Sequence, residues 1–181
     1  MVLYFITGNK GKFDETKDKL SPIKIEHKDI DLDEIQSLDP KVVIEHKLKK
    51  AQKLIDGKIF VEDVSLEIDA LGGFPGPLVK WLFVKPGKQG IYDICKSQNK
   101  FGAKATATIG YFDGEKIQYF EGIIKGNIVE PSGESGFGWD PIFVPAGLTK
   151  RFSEMTIEEK NSLSHRGKVL KKFKKFLEDQ K

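Results

Sequence analysis

The sequence predicts a mixed α/β protein in which a β-meander lobe is inserted in, or appended to, an α/β lobe. Three patterns carry this expectation. Strand-like and helix-like segments alternate through the first third, two β-rich segments meet at an Asp-Gly turn in the middle, and the chain ends on a helical apolar stripe. A chain of 181 residues suits a single domain spanning 1–181 and is long enough to bury a core.

Residues 2–6 (VLYFI) form a short apolar run and are read as a buried strand. A Gly-containing turn follows, then a helix over 13–20 and a second strand over 23–27. Residues 29–39 are acidic and irregular. Pro40 fits the first turn of a helix with Asp39 as N-cap; Val43, Ile44, Lys47, Leu48, Ala51 and Leu54-Ile55 keep helical spacing, and Gly57 ends it. The strand 59–61 is expected to deliver Glu62-Asp63 at its C-terminal end, where sites gather in open α/β sheets. Residues 72–77 (GGFPGP) are a turn, and 88–97 a helix. The meander comprises strands at 105–112 and 116–124 around Asp113-Gly114. A Gly/Pro-rich loop with aromatics spans 131–145, and one helix covers 162–179 with Val169, Leu170, Phe173, Phe176 and Leu177 on one face.

Composition excludes several classes of protein. Hydrophobic residues make up 39% and charged residues 31%, which argues against disorder. No apolar run approaches the roughly 20 residues of a membrane span, so no membrane partner is expected. The lone Cys95 cannot form an internal disulfide and reads as a small buried residue, which points to a cytoplasmic setting. Residues 160–181 hold eight Lys/Arg against two Asp/Glu, but their apolar stripe argues for a buried helix face rather than a nucleic-acid surface. Lys168, Lys171, Lys172, Lys174 and Lys175 are read as its solvated face.

Four clusters are candidates for chemistry. The turn Thr7-Gly8-Asn9-Lys10-Gly11-Lys12 joins a strand to a helix, a place where backbone N–H groups can meet an anion. It is not a P-loop: only two residues separate the glycines, and Phe13 follows Lys12. By itself it reads as an ordinary strand-to-helix turn. Glu62-Asp63, with Asp33 and Glu34 in the acidic loop, could hold Mg²⁺, which needs few protein carboxylates when substrate phosphates complete its shell, or could be solvated charge. Gly136-Phe137-Gly138-Trp139-Asp140 offers aromatic faces to a base, or packs into the core. Lys160 and Ser164-His165-Arg166 are donors to a base, or an exposed basic helix start. His27 and His46 lack metal-ligand spacing and read as surface or satisfied residues.

Order and company make these clusters specific. TGNKGK, EIQ at 34–36, VED at 61–63, ALGGFPGP at 70–77, GFGWDPIF at 136–143 and EKNSLSHRGK at 159–168 together resemble the inosine triphosphate pyrophosphatase family over nearly the whole chain. The resemblance implies a bilobed α/β fold around a long mixed central sheet flanked by helices, usually as a homodimer. It implies Mg²⁺-dependent hydrolysis of ITP, dITP and XTP to the monophosphate and pyrophosphate. It implies phosphate contacts from Thr7, Gly8, Asn9, Lys12 and Lys47, metal contacts from Glu34 and Asp63, and Asp63 as base with Glu62 beside it. Val64, Phe137, Gly138, Trp139, Asp140, Lys160, His165 and Arg166 would meet the base or sugar. The chain departs from the family pattern at Val64-Ser65, usually a small polar pair, where Ser65 is a candidate substitute for the missing hydroxyl. It departs again after Gly76, where the common continuation has a tyrosine and this chain has Pro77-Leu78-Val79 and then Lys80-Trp81, and at Trp139, often tyrosine.

Overall fold

The computed structural model describes residues 2–30, 32–132 and 138–180. The opening apolar run forms β1 (Leu3–Ile6), and α1 (Lys10–Leu20) follows a three-residue turn. This helix starts earlier than the apolar spacing indicates because the Asn9 side chain caps it, accepting the Lys12 N–H. β2 (Ile25–Lys28) pairs parallel to β1. α2 (Pro40–Ala51) begins as expected, with Asp39 capping and Pro40 in the first turn, but gives way to turns after Ala51 instead of running to 55.

β3 (Lys58–Ile68) corrects the expected short strand at 59–61. It continues seven residues further, so Glu62 and Asp63 lie in its middle and not at its end. Two acidic residues read as a loop from composition; here cations from neighbouring helices neutralise them, and the strand carries on.

β4 (Pro75–Gly76) pairs with Leu66 and Glu67 of β3, and two helices follow, α3 (Val79–Val84) and α4 (Gly87–Ser97). α3 was not evident in the sequence. β5 (Gly102–Phe112) and β6 (Ile117–Ile128) form the expected hairpin, longer than read, and β7 (Phe143–Pro145) pairs with the end of β6. The result is one seven-stranded mixed sheet in the order β2-β1-β3-β5-β6-β7, with β4 beside β3.

Period-two alternation sends side chains to two faces. Leu3, Phe5 and Phe60 meet Leu20 of α1 on one face; Ile6, Ile59 and Val61 meet Ile44, Leu48 and Ala51 of α2 on the other. A further cluster at the meander end joins Leu66 and Ile68 to Ile91, Cys95, Phe143 and Phe152.

The C-terminal helix is two helices, α5 (Ile157–Leu163) and α6 (His165–Asp179). Ser164, in an extended conformation, ends the first and caps the second by accepting the Gly167 N–H. Val169, Leu170 and Phe173 of α6 pack on the α1 face of the sheet. α6 approaches β6 so closely that a Cβ on Gly122 would lie 2.1 Å from the His165 carbonyl oxygen. Its lysines are not merely a solvated face. Lys168 donates to the Ile123 carbonyl at 2.9 Å and Lys172 to that of Glu121 at 2.7 Å, while Lys174 donates to Ser21.

Candidate active site

A gap in strand pairing creates the cleft. β1 pairs with β3 only over Lys58–Phe60 and β4 only at Leu66 and Glu67, so among the described residues that edge of β3 is open between 61 and 65. A cavity of about 730 Å³ opens there, beyond the carboxyl end of β1. In an α/β sheet this is a switch point: the connections from β1 to β2 and from β2 to β3 pass to opposite sides of β1. Its lining brings together Thr7, Gly8, Asn9, Lys12, Glu34, Lys47, Glu62, Asp63, Val64, Gly138 and Trp139, all candidates from the sequence.

The turn after β1 forms one wall. The Asn9 N–H donates to Thr7 Oγ1 at 3.1 Å, and the Lys12 N–H to Asn9 Oδ1 at 2.9 Å. The Thr7 and Asn9 side chains thus hold the turn's shape. Lys10 is absent from the lining, whereas Lys12 reaches in, with Nζ 3.5 Å from Glu62 Oε1. Burial lowers the Lys12 pKa, opposed by Glu62.

Strand alternation separates the two carboxylates. Glu62 projects to the α1/α6 face and receives Arg166: Nε lies 3.1 and 3.0 Å from its two oxygens, and Nη2 2.9 Å from Oε1. Burial alone would raise the Glu62 pKa, but Arg166 and Lys12 outweigh it and hold Glu62 at about 2. Asp63 projects to the α2 face, where Lys47 Nζ lies 3.5 Å from Oδ1 and also bonds Glu34. For Asp63 burial prevails over Lys47 and Lys12, and its pKa rises to about 6. Asp63 Oδ2 is buried without a hydrogen-bond partner. A lysine ammonium standing between two carboxylates, one with an unsatisfied buried oxygen, marks a place where a hard cation fits. Among the described residues no third acidic or imidazole group completes a protein-only cage.

The opposite end is nearly closed. Val64 and Trp139 separate the cavity from a space of about 20 Å³, room for about one water, lined also by Glu15, Asp140, Lys160, Ser164, His165 and Arg166. Each charged donor there already has a partner: Lys160 bonds Asp140 at 2.5 Å, and Arg166 Nη1 bonds Glu15 at 2.9 Å. The Trp139 and His165 rings lie 5.5 Å apart, and Trp139 Nε1 and His165 Nδ1 are buried without hydrogen-bond partners. Burial, aided by Arg166, drives the His165 pKa down to about 3, so the ring is neutral near pH 7.

Phe137 lies outside the described residues. Ser65 cannot stand in for the hydroxyl missing at Val64, because the strand turns it to the other face, where it lines a separate groove. Sequence reading missed Glu15, Lys80 and Phe83. Glu15 follows Lys12 by three residues on one helix, a spacing that puts both on the same side and could have exposed it. Lys80 and Phe83 line the large cavity from α3, and Phe83 stacks near Trp139 at 6.2 Å.

Comparison with known proteins bears on this arrangement. Residues 3–176 match the Ham1 family. Inosine triphosphate pyrophosphatase of Schizosaccharomyces pombe is 41% identical over 99% of this chain and 96% of its own length. dITP/XTP pyrophosphatase of Thermococcus kodakarensis is 37% identical over 99% and 98%. A HAM1 protein from Coxiella burnetii has the same fold, with a TM-score of 0.84 at 23% identity over 99% of both chains.

Proposed function

The chain belongs to the Ham1 family, and we propose that it hydrolyses the deaminated purine nucleoside triphosphates ITP, dITP and XTP to monophosphate and pyrophosphate, as one bilobed unit. The observation that carries this reading is a cleft that gathers a cationic turn and the Asp63 carboxylate, with a small pocket of unsatisfied polar atoms directly behind Val64 and Trp139. The names of the curated relatives support the same activity.

In this reading the Thr7–Asn9 turn, Lys12 and Lys47 bind the triphosphate and neutralise the leaving pyrophosphate. Glu34 and Asp63 would hold Mg²⁺, which would offset phosphate charge and acidify water. Asp63 accepts the proton of the water that attacks phosphorus. Glu62, ionised throughout, anchors Arg166 and Lys12 rather than moving a proton. The base enters by parting Val64, Trp139 and the residues behind them. Trp139 Nε1 can only donate, so it matches a ring carbonyl and not the adenine amine, and Arg166 retains N–H groups on Nη1 and Nη2 for the same edge. Buried donors left unpaired by the wrong base discriminate by orders of magnitude.

A homodimer is part of the proposal. It is supported by an uncovered groove that Ser65, Glu67, Lys104 and Thr106 line beside exposed Phe74 and Leu38. The place of action is proposed to be the cytoplasm, without nucleic-acid or membrane partners. The deciding experiment is a panel of ITP, dITP, XTP, GTP and ATP, with and without Mg²⁺, with products identified. IMP plus pyrophosphate from ITP is expected; IDP plus phosphate would overturn the reading.

A further inference from the structure

His27 does not line the cavity, yet it grips the turn that does. From β2 its Nε2 lies 2.6 Å from the Thr7 carbonyl oxygen, and its ring stacks on Phe13, with centroids 4.6 Å apart and planes 18° apart. A carbonyl only accepts, so Nε2 carries the hydrogen. The Thr7 N–H donates in turn to the Lys28 carbonyl at 3.2 Å. The Thr7–Gly8 peptide is trans and planar, with its C=O and N–H opposed. Holding the Thr7 carbonyl against β2 therefore turns the Gly8 N–H away from β2 and fixes how the turn presents it. The hydrogen-bond chain continues through Thr7 Oγ1 and Asn9 Oδ1 to the first turn of α1, which carries Lys12.

We propose that His27 is a positioning residue for the polyphosphate grip, acting through the Thr7–Gly8 peptide, with Phe13 fixing its ring. This deepens the reading of the cleft as a triphosphate site and rests on it. Two variants separate positioning from packing. His27→Phe keeps a ring on Phe13 but removes the donor, whereas His27→Gln keeps a donor of similar reach. Calorimetric binding of inorganic tripolyphosphate, which has no base, isolates the grip.

The expected result is roughly 3- to 10-fold weaker binding by His27→Phe, the factor one lost hydrogen bond carries, with recovery in His27→Gln. The KM for ITP should rise by the same factor while kcat changes less than twofold. Unchanged tripolyphosphate affinity in His27→Phe overturns the proposal, whatever happens to the melting temperature, and so does equal weakening in both variants. A wild-type chain that binds no tripolyphosphate overturns it together with the grip. A wild-type chain that binds tripolyphosphate but hydrolyses none of the three nucleotides defeats only the proposed activity, and the affinity comparison still decides the role of His27.

Discussion

Glu62 and Asp63 are sequence neighbours of the same charge whose protonation the fold drives in opposite directions. Asp63 has a folded pKa of about 6 against an ordinary value of 3.8, so the folded state holds its proton more tightly than the unfolded state. Its ionisation therefore subtracts stability as pH rises from about 4 to about 6 and adds no further change above that. Asp63→Asn removes this penalty. The metal-free variant should melt at the wild-type temperature near pH 4 and above it at pH 7; an offset that is the same at both pH values would reject the assignment. The same variant should lose about 10² to 10⁴ in kcat toward ITP, the range expected for a missing general base. The sequence placed Asp63, Lys12 and Lys47 together through motif resemblance, and the strand's alternation supplies the physical reason. It did not reveal that Arg166 is held by Glu62 and Glu15, because those contacts join residues 104 and 151 positions apart. No local pattern encodes such a separation.

At the scale of elements, legibility followed periodicity. α2 was legible because Asp39, Pro40 and an apolar stripe agree, and the meander because a turn signal separates two β-rich runs. The apolar pattern cuts β3 short because Glu62-Asp63 breaks its run, and it hides the α5–α6 break because Ser164 interrupts no stripe. Two predictions belong here. Gly122→Ala would place a methyl 2.1 Å from the His165 carbonyl and 2.5 Å from the Val169 nitrogen, both rigid backbone. α6 must shift, at a cost of about 1–3 kcal/mol typical of overpacking, carrying His165 and Arg166 with it. Urea unfolding and ITP turnover should both report the loss, and a variant with wild-type stability would contradict the packing. Lys168 and Lys172, one helical turn apart, bond carbonyls of β6 where, among the described residues, that strand pairs with β5 alone. Open strand edges recruit other chains, and lysines guard them. Replacing both by Ala should increase self-association in light scattering at constant ionic strength, and unchanged scattering would remove their guarding role.

Across the whole molecule the two ends of the cleft meet at one carboxylate. Glu62 bonds Arg166, which reaches the small pocket, and pairs with Lys12, which reaches the phosphate wall. Its side chain is 1% exposed, so the charges are compensated by each other and not by water. Removing one partner of such a buried pair leaves uncompensated charge and costs about 3–5 kcal/mol. Glu62→Gln should therefore destabilise the protein by that order near neutral pH. The sign with pH is fixed. The folded pKa is about 2 against an ordinary 4.5, so the Glu62 contribution is complete above about 4.5 and is lost as pH falls toward 2. Wild type and Glu62→Gln should converge in stability as pH drops through that window, while Asp63→Asn follows its own course between 4 and 6. If Glu62 serves both ends, Glu62→Gln should also weaken tripolyphosphate binding and narrow the preference for ITP over ATP. A variant that loses stability but keeps both properties would show that Glu62 supports the fold alone, and that the base and phosphate ends act without a shared anchor.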